Sequence, residues 1–284
     1  MSVKLFPFQE KALKEVEDYP SCAFYLDMGL GKTFTGSEKL VDINNDYNVL
    51  ICQNSKVPDW IQHFKENYDL NVIDYTKPKA KIDKGIIIIT YGLIWRRKEF
   101  MKMENFTLML DESSEIQNSI NGTKKVKKTT FITRMLKPKN IILLSGTPTD
   151  GKYEKLYTQL RMLGLDMSET EYWNRFVIWR EMVVSKGAYP KKIKIVTGYK
   201  NVPELKALMK VLGCVFLKTE DVMDLPEQVD IIKEIPAIPE YKQFSKHRIT
   251  EIDNTVMIGD TPLKRRLYKR QLSGMYNKHK YNNN

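Results

Sequence analysis

Apolar residues fall into short, nearly continuous runs, separated by longer stretches in which they recur at helical spacing. The runs are 22–27 (CAFYLD), 48–53 (NVLICQ), 71–75 (NVIDY), 85–90 (GIIIIT), 106–111 (FTLMLD) and 140–145 (NIILLS). Runs of this kind predict strands covered on both faces. Segments 6–18, 32–43, 57–67, 123–137 and 151–163 have the periodicity of helices. Strand–helix alternation predicts βαβ units and a mostly parallel sheet, an α/β fold. From about residue 165 the pattern changes. Segments 168–182 and 202–212 predict helices, with a Lys/Gly/Pro-rich stretch between them, and CVFLK (214–218) predicts a strand. Pro226, Pro236 and Pro239 make 226–240 an extended connector. Segments 239–253 and 261–276 predict two closing helices, and the final YNNN a frayed tail.

Composition narrows the class. At roughly 100–200 residues per domain, 284 residues make one large domain or two small ones. With 42% apolar and 29% charged residues, the chain can bury a core. No apolar run approaches the roughly 18 residues that span a bilayer. The N-terminus, MSVKLFPFQEKALKEVED, becomes charged too soon for a signal peptide. Cys22, Cys52 and Cys214 fit no metal spacing and point to a reducing, intracellular setting. Secreted, transmembrane, disulfide-stapled and zinc-finger classes are thereby excluded.

The net charge of +11 changes the picture, because it is local. Residues 124–139, 186–200 and 261–280 hold 19 of the 46 basic residues and none of the 35 acids, so the rest of the chain is net acidic. Any one patch is equally well a solvated face. Three on an acidic body point to a polyanion, with nucleic acid the first candidate and an acidic membrane surface the second.

Residues 26–33 read Leu-Asp-Met-Gly-Leu-Gly-Lys-Thr, between a predicted strand and a predicted helix. That is the setting of a phosphate loop. Gly29 and Gly31 let the backbone turn its N–H groups toward phosphate oxygens, and the helix presents its positive end. Lys32 would reach the β- and γ-phosphates of ATP, and the Thr33 hydroxyl would hold Mg²⁺. The strict pattern places a glycine where this chain has Leu26, so a chance Gly-Lys-Thr at a helix start is the alternative. A second constellation decides between them. The strand at 106–111 ends in Asp111-Glu112. Acids at the C-terminal end of such a strand face the phosphate loop. Asp111 would hold Mg²⁺ through its water shell, and Glu112 would deprotonate the attacking water.

These segments, with others in order, resemble the superfamily-two helicases, and within them the Swi/Snf-type DNA translocases. LFPFQ (5–9) looks like the glutamine motif, and DMGLGKT (27–33) matches that family's phosphate loop, which also lacks the first glycine. VLICQNSKVPDW (49–60), Thr90-Tyr91, DESSEIQN (111–118) and SGTP (145–148) follow the family order, with Ser114 where the family has His. GYKNVPELKALM and FLKTEDVMDLPEQV are similar to the end of lobe one in annealing-helicase and phage-type members. The resemblance covers residues 5 to about 275.

The resemblance implies a RecA-like three-layer sandwich for residues 1–225, with 165–212 as a helical insertion, 226–260 as a connector and 261–284 as the start of a second lobe. It implies that Gln9 bonds the adenine edge, with Phe6 or Phe8 either packing on the ring or sitting in the core. Ser145 and Thr147 would sense the phosphate and pass its state on. Asn54, Ser55, Thr90 and Tyr91 would either touch the DNA backbone or cap strand ends, and Lys124 and Lys125 would add basic contacts. The implied partners are duplex DNA and a second RecA-like lobe, in cis or in trans. Without that lobe and its arginine finger, ATP turnover would be poor. A fragment, a split product and a lone regulatory lobe all fit this reading. The alternative functions are a non-catalytic DNA- or protein-binding module on an ATPase scaffold, and an RNA-directed member. The Lys-, Asn- and Ile-rich composition points to an AT-rich genome, in a bacterium or its phage.

Overall fold

The structure, a computed structural model, describes residues 3–116, 127–149, 151–185, 190–222, 236–252 and 255–281. Residues 1–225 and 226–284 form two compact units. In the first, α1 (Pro7–Glu15), β1 (Ser21–Leu26), α2 (Lys32–Ile43), β2 (Tyr47–Cys52), α3 (Val57–Asn67), β3 (Val72–Asp74), β4 (Gly85–Thr90) and β5 (Phe106–Asp111) follow in order. Next come α4 (Lys127–Thr130), a π turn over Phe131–Met135, β6 (Asn140–Ser145), α5 (Tyr157–Met162) and α6 (Glu169–Phe176). The unit ends with β7 (Val177–Ser185), β8 (Pro190–Tyr199), α7 (Val202–Val211), β9 (Cys214–Leu217) and α8 (Thr219–Val222).

Seven strands form one sheet in the order β3-β4-β2-β5-β6-β1-β9, and every pairing is parallel. Each apolar run sends alternate residues to opposite faces, as the pleat requires. Ala23, Tyr25, Val49, Ile51, Ile87, Ile89, Leu108 and Leu110 enter one core, with Phe131, Leu156, Leu160, Tyr172, Phe176 and Leu205 above them. Phe24, Leu26, Leu50, Ile86, Ile88, Met109 and Leu144 enter the other, under Ala12, Leu40, Trp60 and Phe64. The result is the three-layer α/β sandwich. Burying one such side chain stabilises by about 1.5–3 kcal/mol, which is why the runs and not the helix propensities decide the architecture.

Several buried polar groups inside this unit tie elements together. The Lys39 ammonium, on a side chain 2% exposed, donates to Val16 O (2.8 Å) and Glu17 O (3.0 Å) and so closes the C-terminal end of α1. Asn45 donates to Thr107 and Asn140, and Asn140 to Pro20 O, tying together the N-terminal ends of three strands. Cys22, Cys52 and Cys214 are buried free thiols, and burial pushes the first two up to about 12, so they are inert.

Two helix expectations are corrected. Segment 168–182 is helical only to Phe176; Val177–Ser185 is a strand, antiparallel to β8 in a hairpin separate from the main sheet. The insertion at 165–212 is therefore not purely helical. β-branched and aromatic residues crowd VIWREMVVS and suit a pleated ribbon. Segment 239–253 is helical only over α9 (Pro239–His247). Arg248 takes φ 62, which ends the helix, and β10 (Ile249–Ile252) pairs antiparallel with β11 (Thr255–Ile258). α10 (Pro262–Tyr281) completes the second unit, where Phe244 is buried edge-on against Tyr268. The expected helix at 151–163 is a 3₁₀ turn over Tyr153–Lys155 followed by α5. Most of the connector at 226–240 lies outside the described residues, as do 117–126 and the terminal 282–284. Among the described residues, no helix is long and apolar enough to cross a membrane.

Candidate nucleotide and nucleic-acid site

Strand order builds the site. β6 lies between β1 and β5. The loop after β1, the SGTP segment after β6 and the acids after β5 therefore share one edge, the C-terminal edge where ligands of open parallel sheets bind.

The loop after β1 turns through two left-handed glycines, Gly29 (φ 88) and Gly31 (φ 74), before α2 begins at Lys32. Gly31 is fixed by contact as well as by torsion. A Cβ there would stand 2.2 Å from Gln9 Nε2. Gln9 is 3% exposed; its Nε2 donates to Leu30 O at 3.1 Å, and its Oε1 accepts the Phe6 N–H at 2.9 Å. One end of the expected adenine-reading amide thus braces the loop, and the other caps the start of α1. Phe6 does not sit in the core; it is 59% exposed and stacks on Phe8. Asp27 Oδ2 accepts the Thr219 N–H at 3.0 Å, which ties the loop to the start of α8. Lys32 Nζ lies in the mouth of the loop, donating to Leu26 O (3.1 Å) and Asp27 O (3.4 Å). A Cβ on Gly146 of the SGTP segment would be 3.2 Å from that nitrogen. Thr33 follows on the first turn of α2, half-buried.

Asp111 and Glu112 close the opposite side. Glu112 takes φ 52, uncommon for a residue with a Cβ, which turns the chain off the strand. Burial raises the Asp111 carboxyl above its ordinary value, while a hydrogen bond from Trp60 and the charge of Lys32 pull it back. Burial and the neighbouring Asp111 raise Glu112, and Lys32 opposes them. Trp60 Nε1 donates to Asp111 Oδ2 at 2.8 Å, and the Tyr91 hydroxyl donates to Asp111 O at 2.9 Å. Among the described residues no cluster of three or more His, Cys, Asp or Glu could hold a metal by itself.

Ser145 is fully buried, and its hydroxyl accepts the Thr147 N–H at 3.3 Å, while Thr147 itself is exposed. Beneath them lies a junction that sequence reasoning missed. Gln159 on α5, 0% exposed, accepts from the Ser113 hydroxyl (2.7 Å) and the Tyr25 hydroxyl (3.0 Å) and donates to Pro148 O (3.2 Å). One carboxamide thus joins β1, the acidic box and the SGTP segment. The only sequence signal was a glutamine on an otherwise apolar face of YTQLRM. Trp60 was legible as a motif residue but not as the partner of Asp111.

The nucleic-acid candidates divide. Asn54 and Ser55 are exposed on the turn after β2. Thr90 and Tyr91 are each 5% exposed. The Tyr91 hydroxyl, bonded to Asp111 O, supports the acidic box. Lys124 and Lys125 lie outside the described residues. Their neighbour Lys128 pairs with Glu115 and sits over the Tyr91 ring. A cavity of about 690 Å³ beside α3, lined by Asn54, Val57, Lys65 and Asp74 among others, contains none of the nucleotide residues.

Comparison with known proteins follows the same lines. A family model described as the SNF2-related domain matches residues 13–284. A SWI/SNF-related matrix-associated actin-dependent regulator of chromatin subfamily A-like protein 1 from Drosophila melanogaster is 27% identical over 192 residues, covering 64% of this chain and 24% of that protein. The human DNA annealing helicase and endonuclease ZRANB3 is 24% identical over 245 residues, covering 81% of this chain and 22% of that protein. The chain spans about a quarter of the length of these curated relatives. The Sulfolobus solfataricus SWI2/SNF2 ATPase core in complex with dsDNA shares the fold, with a TM-score of 0.59 at 22% identity over 96% of this chain and 58% of that one.

Proposed function

The chain belongs to the SNF2-related domain family, and from that premise we propose that residues 1–225 are the ATP-binding lobe of a DNA-dependent ATPase that works on duplex DNA together with a second RecA-like lobe. The observation that carries this is the alignment of loop, SGTP segment and acidic pair on one sheet edge, with Lys32 between them. Lys32 would neutralise the β- and γ-phosphates. Thr33 and Asp111 would hold Mg²⁺. The residues suit that ion, because Mg²⁺ commonly takes one or two protein ligands and completes its shell with phosphates and water, and here there is one hydroxyl and one half-buried carboxylate. The ion, when bound, screens the charge on the phosphates. Glu112 would accept the proton of the attacking water. Its raised proton affinity brings it closer to working pH, which favours general-base action. Gln159 would relay loop position between the phosphate side and the SGTP segment.

The relatives are named for chromatin regulation and DNA annealing, and the structural neighbour holds duplex DNA. These support duplex DNA as the partner. The test is nucleotide titration of the full chain, followed by ATPase assays with duplex DNA and a supplied second lobe. Lys32→Ala is expected to weaken ATP–Mg²⁺ binding at least tenfold and to abolish DNA-stimulated turnover. Undiminished binding and turnover in Lys32→Ala would refute the assignment. Failure of the wild-type chain to bind ATP–Mg²⁺ at millimolar concentration would favour a non-catalytic binding module.

A further inference from the structure

We propose that the β7–β8 hairpin is a second duplex-DNA contact, which grips the phosphate backbone through its basic side chains. The proposal rests on the duplex-DNA reading above. The hairpin is paired from Val177–Tyr199 to Ser185–Pro190 and belongs to neither the central sheet nor the β10–β11 pair. Its nine-residue strand spans about 30 Å at ~3.3 Å per residue. Residues 177–185 and 190–200 contain five basic residues, Arg180, Lys191, Lys192, Lys194 and Lys200, against the single acid Glu181. A ribbon of that charge selects a polyanion.

Its root places it beside the site. The Tyr199 hydroxyl donates to Glu154 Oε2 at 2.7 Å, and the Tyr199 ring meets Tyr153 edge-on at 5.0 Å. Lys200 N–H donates to Phe176 O at 3.0 Å. Tyr153 and Glu154 lie on the turn that follows the SGTP segment, so the hairpin is anchored to chain leaving the C-terminal edge of the sheet.

The state of its rings favours duplex over single strand. Lys194 Nζ lies 4.0 Å from the centre of the Trp179 ring and 5.8 Å from that of Trp173. Tyr199 is packed on Tyr153. Single-strand binders use free ring faces as platforms for bases. Among the described residues of this hairpin, Trp179 carries a lysine on one face and Tyr199 meets Tyr153 edge-to-face, which favours phosphate contacts, the readout that a duplex offers without base recognition. The Trp179–Lys194 stack also holds one cation in a fixed position.

The experiment measures the affinity of the full chain for a labelled duplex across a salt series, for wild type and for Lys191→Gln/Lys192→Gln/Lys194→Gln. Each lost phosphate contact lowers the slope of log K against log[salt] by about 0.9. The triple variant is expected to lose about 2–3 from that slope and at least tenfold in affinity at low salt, with ATP binding and melting temperature retained. Replacing the same lysines by arginine should restore both slope and affinity. If the Trp179–Lys194 stack proves necessary for folding, Arg180→Gln/Lys192→Gln spares it and should lower the slope by about 2. An unchanged slope in a folded variant overturns the hairpin assignment alone. A slope lost on single-stranded DNA but kept on duplex overturns it as well. A wild-type chain with no duplex affinity overturns the underlying reading too, so the two failures are distinguishable.

Discussion

Asp111 is held from two sides before any ligand is considered. Trp60 Nε1 takes one carboxylate oxygen and Tyr91 the backbone carbonyl. A hydrogen bond to a charged group contributes about 1.5–3 kcal/mol, enough to fix one rotamer. Trp60→Phe keeps the ring packing on Phe64 and removes only the donor. It should raise the Mg²⁺ concentration needed for half-maximal ATP binding several-fold while leaving metal-free nucleotide affinity unchanged; equal loss in both would mean a general packing defect. Gly31 is constrained by torsion and by Gln9 together. Gly31→Ala should cost about 1–2 kcal/mol from the left-handed backbone alone, plus the clash with Gln9. The Gln9→Ala/Gly31→Ala double variant should therefore lose less stability in denaturant titration than the sum of the single variants, whereas strict additivity would remove the contact from the account. Gln159→Leu leaves the Tyr25 and Ser113 hydroxyls and Pro148 O without their partner inside the protein. At about 1–3 kcal/mol per unsatisfied buried group, a loss of at least 2 kcal/mol is expected, read by the same titration.

An imidazole lies between α2 and α3. His63 Nε2 is 3.0 Å from Ser37 Oγ and is surrounded by Phe34, Trp60, Phe64 and Tyr68. Burial lowers its proton affinity below the ordinary 6.5, with Glu66 opposing weakly. The fold therefore favours neutral imidazole. That stabilisation is complete above about pH 6.5 and is lost as the pH falls through the depressed folded value. Melting temperature should drop as the pH falls below about 6.5, and His63→Gln should flatten the drop; an identical pH profile in the variant would place the effect elsewhere. The same two helices also show what the sequence could reveal. α2 and α3 were legible to the residue, because loop and proline punctuation framed a clear apolar face, and the six strands before residue 146 were legible as mostly continuous apolar runs. The hairpin and β10 were not. Their amphipathic spacing is short enough to satisfy either period, and the deciding contact is with a partner strand distant in sequence. In the site, residue types that carry chemistry could be read directly. Supports such as Gln159 and Tyr91 could not, because burial and partner identity arise only once β1, β5 and β6 lie side by side.

At the scale of the whole molecule, every residue assigned to the nucleotide lies in the first unit, from Gln9 to Thr147, and the tie from Asp27 to Thr219 closes that unit onto itself. The second unit contributes none of them. A ligand that binds only the folded state stabilises it by RT ln(1 + [L]/Kd), about 2.7 kcal/mol at a hundredfold excess over Kd. That energy should appear where the ligand's contacts are. With saturating ATP–Mg²⁺, amide exchange should slow at the C-terminal ends of β1, β5 and β6 and in the first turn of α2. The amides of α9, β10, β11 and α10 should exchange at their ligand-free rates, since none of the residues proposed to hold the nucleotide lies in those elements. Hydrogen–deuterium exchange read peptide by peptide checks this on the intact chain. Equal protection in both units would mean that the nucleotide couples them, and the ATP-binding body would then have to be drawn to include residues beyond 225.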